Sequence, residues 1–426
     1  MRSTSLFWAG CLVAAAATAQ TASPWRVSGY YTLGHAHVDS DTARGFARDQ
    51  TQSQPSAWAV DSRLGLQLDG RLSPTLGVTA QAVLRQRVPD TPVAQSLEWA
   101  FVHWSPTPDW QLRLGRTSPD LFLFADVRSV GVAYPWVRPS QEVYAWMPLQ
   151  SVDGIDLART WVGDDATWRL KLSYGHSASR VAAQDSGTPG DAHLHAVRTL
   201  SLTRETPSTR LKFSYLRARI DLSRAPVLLE LDRALGQVTA QTQALLPALA
   251  AEARTLRDGL AVNVPTQYLA LGGQHDEGDW QFTGEWSRIW GQSRQTNAQR
   301  HMLSLGRRLD AVTVFATLGR SRLTEPPLAA PFGWQAQLGP LLGPVAAGQI
   351  TALGVGSAQA GNLGRAGQRS VGIGARWDLR ANLALKAQWD HVRVEQDGRS
   401  LWKLHTVGSA GDFRARVLTV TLDGSF

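Results

Sequence analysis

The stretch that most constrains the fold is Arg414 to Phe426, RARVLTVTLDGSF. Read in steps of two, Arg416, Leu418, Val420, Leu422, Gly424 and Phe426 fall on one face, and Val417, Thr419, Thr421, Asp423 and Ser425 on the other. Side chains alternate across a strand, so this is a ribbon with one mostly apolar and one mostly polar face. In a soluble domain an apolar strand with nothing after it leaves an edge that invites aggregation. In a membrane barrel the last strand pairs with the first and the edge disappears. Trp25 to Val38 is the expected neighbour.

The same alternation recurs along the whole chain. Trp58, Val60, Leu64, Leu66 and Leu68 alternate with Ala59, Asp61, Arg63, Gly65, Gln67 and Asp69. Leu76, Val78, Ala80, Ala82 and Leu84 alternate with Thr79, Gln81, Arg85 and Arg87, and Trp110, Leu112 and Leu114 with Gln111 and Arg113. Residues 96–105 are apolar on both faces and give no orientation. About sixteen strands of barrel-crossing length follow from this pattern. Short turns fall at 73–75, 106–109, 163–166, 206–209, 276–279, 307–310 and 378–382. Long connections fall at 39–56, 88–95, 117–153, 176–193, 221–265, 290–297, 322–366 and 395–412. Strict short/long alternation, with both termini on the short-turn side, is the arrangement of an even-stranded outer-membrane barrel.

Targeting agrees. Arg2, the apolar run Leu6 to Ala17 and the small residues Ala17-Thr18-Ala19 read as a cleaved signal peptide over 1–19, with the barrel occupying 20–426. A lipobox at Ala9-Gly10-Cys11 is the alternative use of that segment. The only cysteine, Cys11, lies inside it, so the mature chain is expected to form no disulfide. Removing Arg2 from 43 basic residues leaves 42 against 35 acidic ones, a net +7. An exported chain has little access to nucleic acid, so a positive lumen that attracts anions is the expected use of that charge. Only Lys171, Lys212, Lys386 and Lys403 are lysine. Trp25, Trp110, Trp168 and Trp280 open strands, and Trp377 and Phe426 close them. These six are candidates for an aromatic girdle at one membrane interface, unless tryptophan merely favours strands.

With its signal segment, alternating strands, terminal Phe426 and the insertion after Leu114-Gly115-Arg116, the chain resembles a Gram-negative outer-membrane porin. That resemblance implies a sixteen-stranded transmembrane antiparallel barrel and a homotrimer. It also implies a third extracellular loop folded into the lumen, here 117–153, and recognition of Phe426 by the barrel-assembly machinery. The loop core Ala133-Tyr134-Pro135-Trp136-Val137-Arg138-Pro139 and the later Glu142-Val143-Tyr144 depart from the acidic constriction motif of general porins. A divergent branch is implied.

Strand parity sends Arg63, Arg85, Arg87, Arg113, Arg169 and Lys171 inward, with Arg116 after Arg113. Arginine grips carboxylate or phosphate well, so Arg63, Arg85, Arg113 and Arg169 form a candidate basic ladder facing the loop. Alternatively they pair with Asp61, Glu98 or Asp126. In the loop, Asp120, Asp126, Arg128, Arg138 and Glu142 are candidate eyelet residues. Tyr134, Trp136, Tyr144 and Trp146 offer a sliding surface for a solute or a wedge against the wall. Residues 226–258 carry leucines at helical spacing, interrupted by Pro247, and are expected to form one or two helices in an extracellular loop. Residues 322–366 read as a flexible Gly/Ala/Pro loop. His35 and His37 share a strand face without a partner cluster for a metal. No cofactor motif and no Gly-x-Ser-x-Gly elbow is present. The expected function is diffusion of small hydrophilic solutes, anions favoured, across an outer-membrane lipid bilayer. The competing readings are a barrel lipid hydrolase and a plugged structural or receptor barrel.

Overall fold

The computed structural model describes residues 23–47, 54–146, 149–181, 190–221, 226–292, 296–405 and 411–426. The signal segment 1–19, with Cys11, lies outside them. Among the described residues sixteen long strands follow one another: β1 Trp25–Asp39, β2 Arg63–Arg71, β3 Leu76–Arg85, β4 Leu97–Thr107, β5 Trp110–Thr117, β6 Val152–Val162, β7 Thr167–Val181 and β8 Gly190–Glu205, then β9 Thr209–Asp221, β10 Val264–Glu277, β11 Trp280–Gly291, β12 Ala298–Leu309, β13 Val312–Leu323, β14 Ala366–Arg380, β15 Leu383–Arg399 and β16 Phe413–Ser425. Sequence neighbours pair antiparallel, and β1 pairs with β16 from Tyr30↔Ser425 to Asp39↔Arg416. The sheet is therefore a closed barrel, and the edge problem posed by the terminal strand is solved by pairing with Trp25–Asp39.

Alternation decides which way each side chain points. In β16, Thr419, Thr421 and Asp423 are buried inside, whereas Leu418 and Val420 are exposed outside. Leu66, Leu84, Leu303 and Ile373 are likewise exposed on the outer face. An exterior belt of this kind needs an apolar surrounding, since large exposed apolar surface is otherwise a liability. Among the described residues no helix is long and apolar enough to cross a membrane. The register also orients 96–105: Trp104 pairs with Leu76 and Val102 with Val78 on the outer face, leaving Phe101 and His103 inside.

Two expectations are corrected at the long-loop end. The connection expected over 176–193 is shorter, because β7 continues to Val181 and β8 begins at Gly190. The stretch 322–366 is not a flexible loop. It holds helices α4 Trp334–Leu342 and α5 Pro344–Asn362, while the insertion at 226–258 holds α2 Pro226–Thr242 and α3 Pro247–Gly259 (the labels α2 to α5 leave α1 for Gln141–Tyr144). Pro247 and Pro344 sit at the first helical turn, where proline is tolerated. The four helices share one apolar cluster built on Leu235, Leu249, Leu256, Trp334 and Leu338. At Gly354 a Cβ would meet Pro331 Cγ at 2.5 Å, so a residue that reads as a loop signal is instead a close-packing position. Loops 39–56 and 395–412 also meet, through Ala43–Phe46 paired with Trp402–Leu404.

Candidate pore and constriction loop

The third long loop leaves β5 through Gly115, whose φ of +130° suits only glycine; a Cβ there would lie 2.3 Å from the Ala100 carbonyl oxygen. Arg116 and Asp153 then close the loop's base with two bonds, Nε to Oδ1 at 2.6 Å and Nη2 to Oδ2 at 2.7 Å. They pair in register with Leu114↔Ile155 on the outward face, so Arg116 lies at the rim and not in the lumen where its sequence position placed it. From there residues 118–146 enter the barrel.

The loop is docked on one half of the wall. Asp120 accepts from Ser201 Oγ at 2.7 Å and forms an ion pair with Lys212. The Leu123 amide donates to Glu285 Oε2 at 2.9 Å, and the Tyr144 hydroxyl donates to the other oxygen of the same carboxyl. Trp136 Nε1 donates to Ser304 Oγ at 2.8 Å, and the Val137 amide to Gln388 Oε1 at 3.1 Å. Lys386 Nζ donates to the carbonyls of Gly131 and Trp136 at 2.6 and 2.8 Å. Arg376 reaches the carbonyls of Val132 and Tyr134. Arg138 grips both oxygens of Asp61 at 2.9 and 2.6 Å and also donates to Thr419. Glu142 is buried and accepts from Gln368 Nε2 at 2.7 Å. These partners sit on β8, β9, β11, β12 and β14 to β16, plus Asp61 just before β2.

Between these anchors the lumen is dry. Leu121, Phe122, Phe124, Tyr134, Trp136 and Val143 from the loop pack with Leu216, Tyr268, Ile289, Met302 and Phe315 from the wall. The rings of Phe124 and Trp136 meet edge-on at 5.5 Å, and Tyr134 and Trp136 stack at 5.9 Å. The loop aromatics are thus a wedge against the wall. On β9 to β13 one or two inward residues per strand are apolar and pack with the loop, among polar neighbours such as Lys212, Glu285 and Ser304.

Electrostatics reinforces the docking. Burial alone would raise the Asp120 carboxyl, but Lys212 and Lys171 override it and hold it well below the usual carboxylate range. Burial pushes the Tyr134 phenol up to about 12, and burial together with Glu285 pushes that of Tyr144 well above its ordinary value. Both stay neutral donors at any physiological pH. Burial works against the Arg138 guanidinium, yet Asp61 carries it above its ordinary value.

The opposite wall, β2 to β5, carries the arginines. Arg63 and Arg85 are cross-strand partners. Arg63 donates to Thr32 at 3.3 Å and to the Tyr134 hydroxyl at 3.4 Å. Arg85 and Arg87 share Glu98, each at 3.7 Å, and both also reach Gln150. Arg113 is bonded to Asp156 at 2.8 Å and lies over the Phe101 ring; Lys171 is 3.8 Å from the same Asp156. Arg169 is half-buried and inward. Arg128 is tied to the carbonyls of Leu149 and Gln150, whereas Asp126 is exposed to the remaining space. Of the pairings set against the ladder, Arg85 with Glu98 occurs; Asp61 is taken by Arg138 of the loop, and Arg113 pairs with Asp156 instead of Asp126.

Sequence reasoning missed Lys212, Lys386, Glu285 and Asp423. Lys386 and Asp423 are 3.3 Å apart and both fully buried, with Thr32 donating to Asp423 at 2.6 Å. A signal was available. All four lysines of this arginine-rich chain are buried. A compact ammonium offers three donors to converging carbonyls, which a planar guanidinium does less well.

On the outside, Trp25, Trp110, Trp280, Trp377 and Phe426 are exposed at the short-turn end, with half-buried Trp168 among them. Arg159, Arg204 and Arg307 lie over the rings of Trp110, Trp168 and Trp280 at 5.3, 5.8 and 5.1 Å. Phe426 exchanges backbone bonds with Gly29. His37 bonds Ser56 and His35 meets Trp58, and no cluster of three or more metal-ligating side chains occurs among the described residues.

No protein-family model matches this sequence. No curated protein matches it either. Solved structures do. The chain is similar to an anion-selective porin from Comamonas acidovorans, with 11% identity over 94% of this chain and 99% of that one at a TM-score of 0.51. It is similar to OmpF of Salmonella typhi in complex with daunomycin, with 11% identity, 94% and 97% coverage and a TM-score of 0.50. It is also similar to the outer-membrane channel DcaP of Acinetobacter baumannii, with 9% identity, 94% and 97% coverage and a TM-score of 0.50. At such identities the likeness speaks for the fold, and the fold is that of an outer-membrane porin.

Proposed function

We propose that this chain is an outer-membrane porin through which small hydrophilic solutes diffuse, anions in preference to cations. It reaches the outer membrane by way of a cleaved signal peptide. The passage runs along β2 to β7, between the docked loop and Arg63, Arg85, Arg87, Arg113 and Arg169. The observation that carries this reading is the uneven docking of the third loop: most of its anchors lie on β8, β9, β11, β12 and β14 to β16, whereas the other side meets it through Asp61 and the guanidinium groups of Arg63, Arg85 and Arg87. Guanidinium groups that are only partly neutralised raise the local anion concentration in a narrow wet passage. The anion selectivity stated for the Comamonas protein is consistent with that direction. Assembly as a homotrimer and handling of Phe426 by the barrel-assembly machinery belong to the same reading and rest on the porin resemblance alone.

The apolar core inside the lumen favours one second reading, a barrel plugged by its own loop. Single-channel recording in planar bilayers separates the two. Stepwise conductance is expected from the porin; a refolded, membrane-inserted barrel that passes no current would establish the plug.

A further inference from the structure

The outer face carries a basic row at the long-loop end that neither the pore nor the girdle uses. His301 pairs in register with Arg320, Arg320 with Arg369, Arg369 with Arg393, and Arg393 with Arg414. All five alternate with inward residues and stand on the exterior of β12 to β16. Adjacent strands are about 4.8 Å apart, so the row spans roughly 19 Å. Together with His391 these side chains line one surface cavity of ≈ 440 Å³ whose other walls include Leu318 and Val371, and no carboxylate is among the described residues that line it. Two residues further along β12 to β14 the outer face turns apolar, at Leu303, Leu318 and Val371; on β15 and β16 His391 and Arg416 come first, and the apolar face begins at Trp389 and Leu418, beside Ile373.

This arrangement is costly in isolation. Like charges directly opposite one another across a sheet destabilise it, and here four arginines follow one another across four adjacent strands. Asp412 contacts Arg393 at 3.2 Å at the edge of the row. The height of the row narrows the choice of counter-charge. It sits where the exposed apolar belt ends, which is the level of the headgroups if the belt is in hydrocarbon.

We propose that the His301–Arg320–Arg369–Arg393–Arg414 row is a binding site for a phosphate-bearing glycolipid of the outer leaflet. The arginines take the headgroup phosphates, and Leu318, Val371 and Ile373 lie along its acyl chains. Bidentate arginine–phosphate bonds supply the polar recognition. The proposal rests on the membrane residence argued above, but not on conduction.

The test is native mass spectrometry of the full chain in detergent, titrated with bis-phosphorylated lipid A, with the same lipid A stripped of both phosphates, and with inorganic phosphate. The intact lipid is expected to bind. Arg369→Gln with Arg393→Gln is expected to weaken it by about thirtyfold, the combined effect of two surface arginines on an anionic headgroup. Arg198→Gln with Arg217→Gln, an outward cross-strand pair elsewhere on the barrel, is expected to leave it unchanged. Equal binding of the dephosphorylated lipid, inorganic phosphate binding as tightly as the lipid, an equal loss in the control pair, or a change in oligomeric state with lipid binding intact would each overturn the proposal. Single-channel conductance and flotation with liposomes, measured on the same variants, report separately on the pore and on membrane residence.

Discussion

The two halves of the lumen use the same barrel to opposite ends. On β8 to β16 the inward side chains either pack with the loop in an apolar core or bond to it, and two lysines, Lys212 and Lys386, are buried against it. On β2 and β3 the inward residues include Arg63, Gln67, Asp69, Thr79, Gln81 and Arg85, which bond mainly to one another and to a few loop atoms. The difference shows how a loop of some thirty residues is fixed inside a barrel: one wall is matched to it by apolar packing and polar anchors, the other meets it mainly with charge.

If that contrast is right, damage on the docking wall changes loop stability, and damage on the arginine wall changes selectivity. The largest effect is expected from Trp136→Ala, which empties the centre of the lumen core and removes the bond to Ser304. A loss of about 3–5 kcal/mol in thermal or denaturant unfolding is expected, with larger, noisier channel steps. Asp120→Asn should cost a similar amount, about 3–5 kcal/mol, because it leaves the buried Lys212 ammonium without its counter-charge. The pH dependence has a definite sign. The folded-state pKa of Asp120 is depressed, so its contribution is fully present above the ordinary carboxylate range and is lost only as pH falls through the lower folded-state value. The stability difference between wild type and Asp120→Asn should therefore hold constant from neutral pH down to about 5; a difference that shrinks within that range would contradict the assignment. Tyr144→Phe should be milder, about 1–3 kcal/mol, since Glu285 keeps the Leu123 amide as donor.

Much of this architecture was legible in the sequence. The terminal strand, the parity of β2, β3 and β5 and the split of 226–258 at Pro247 all follow from periodicity and punctuation. The docking of the loop was not, because it joins residues far apart in the chain: Trp136 to Ser304, Lys386 to Gly131, Glu285 to Leu123. Local pattern carries no information about such pairs. Arg116 was misplaced because it was grouped with Arg113 by nearness, whereas strand parity puts it on the outer face with Leu114. The helices of 334–362 were missed because Pro340, Pro344 and Gly354 read as breaks, whereas proline is accommodated in the first turn of α5 and Gly354 packs against Trp334 and Pro331.

The central claim is that solutes pass along the arginine wall. It is tested most directly by the reversal potential of single channels under a salt gradient, compared between the wild type and a variant carrying Arg63→Gln, Arg85→Gln and Arg113→Gln. An anion-selective wild type is expected, with the variant shifted toward cations. A cation-selective wild type, or a variant with an unchanged reversal potential, would contradict it.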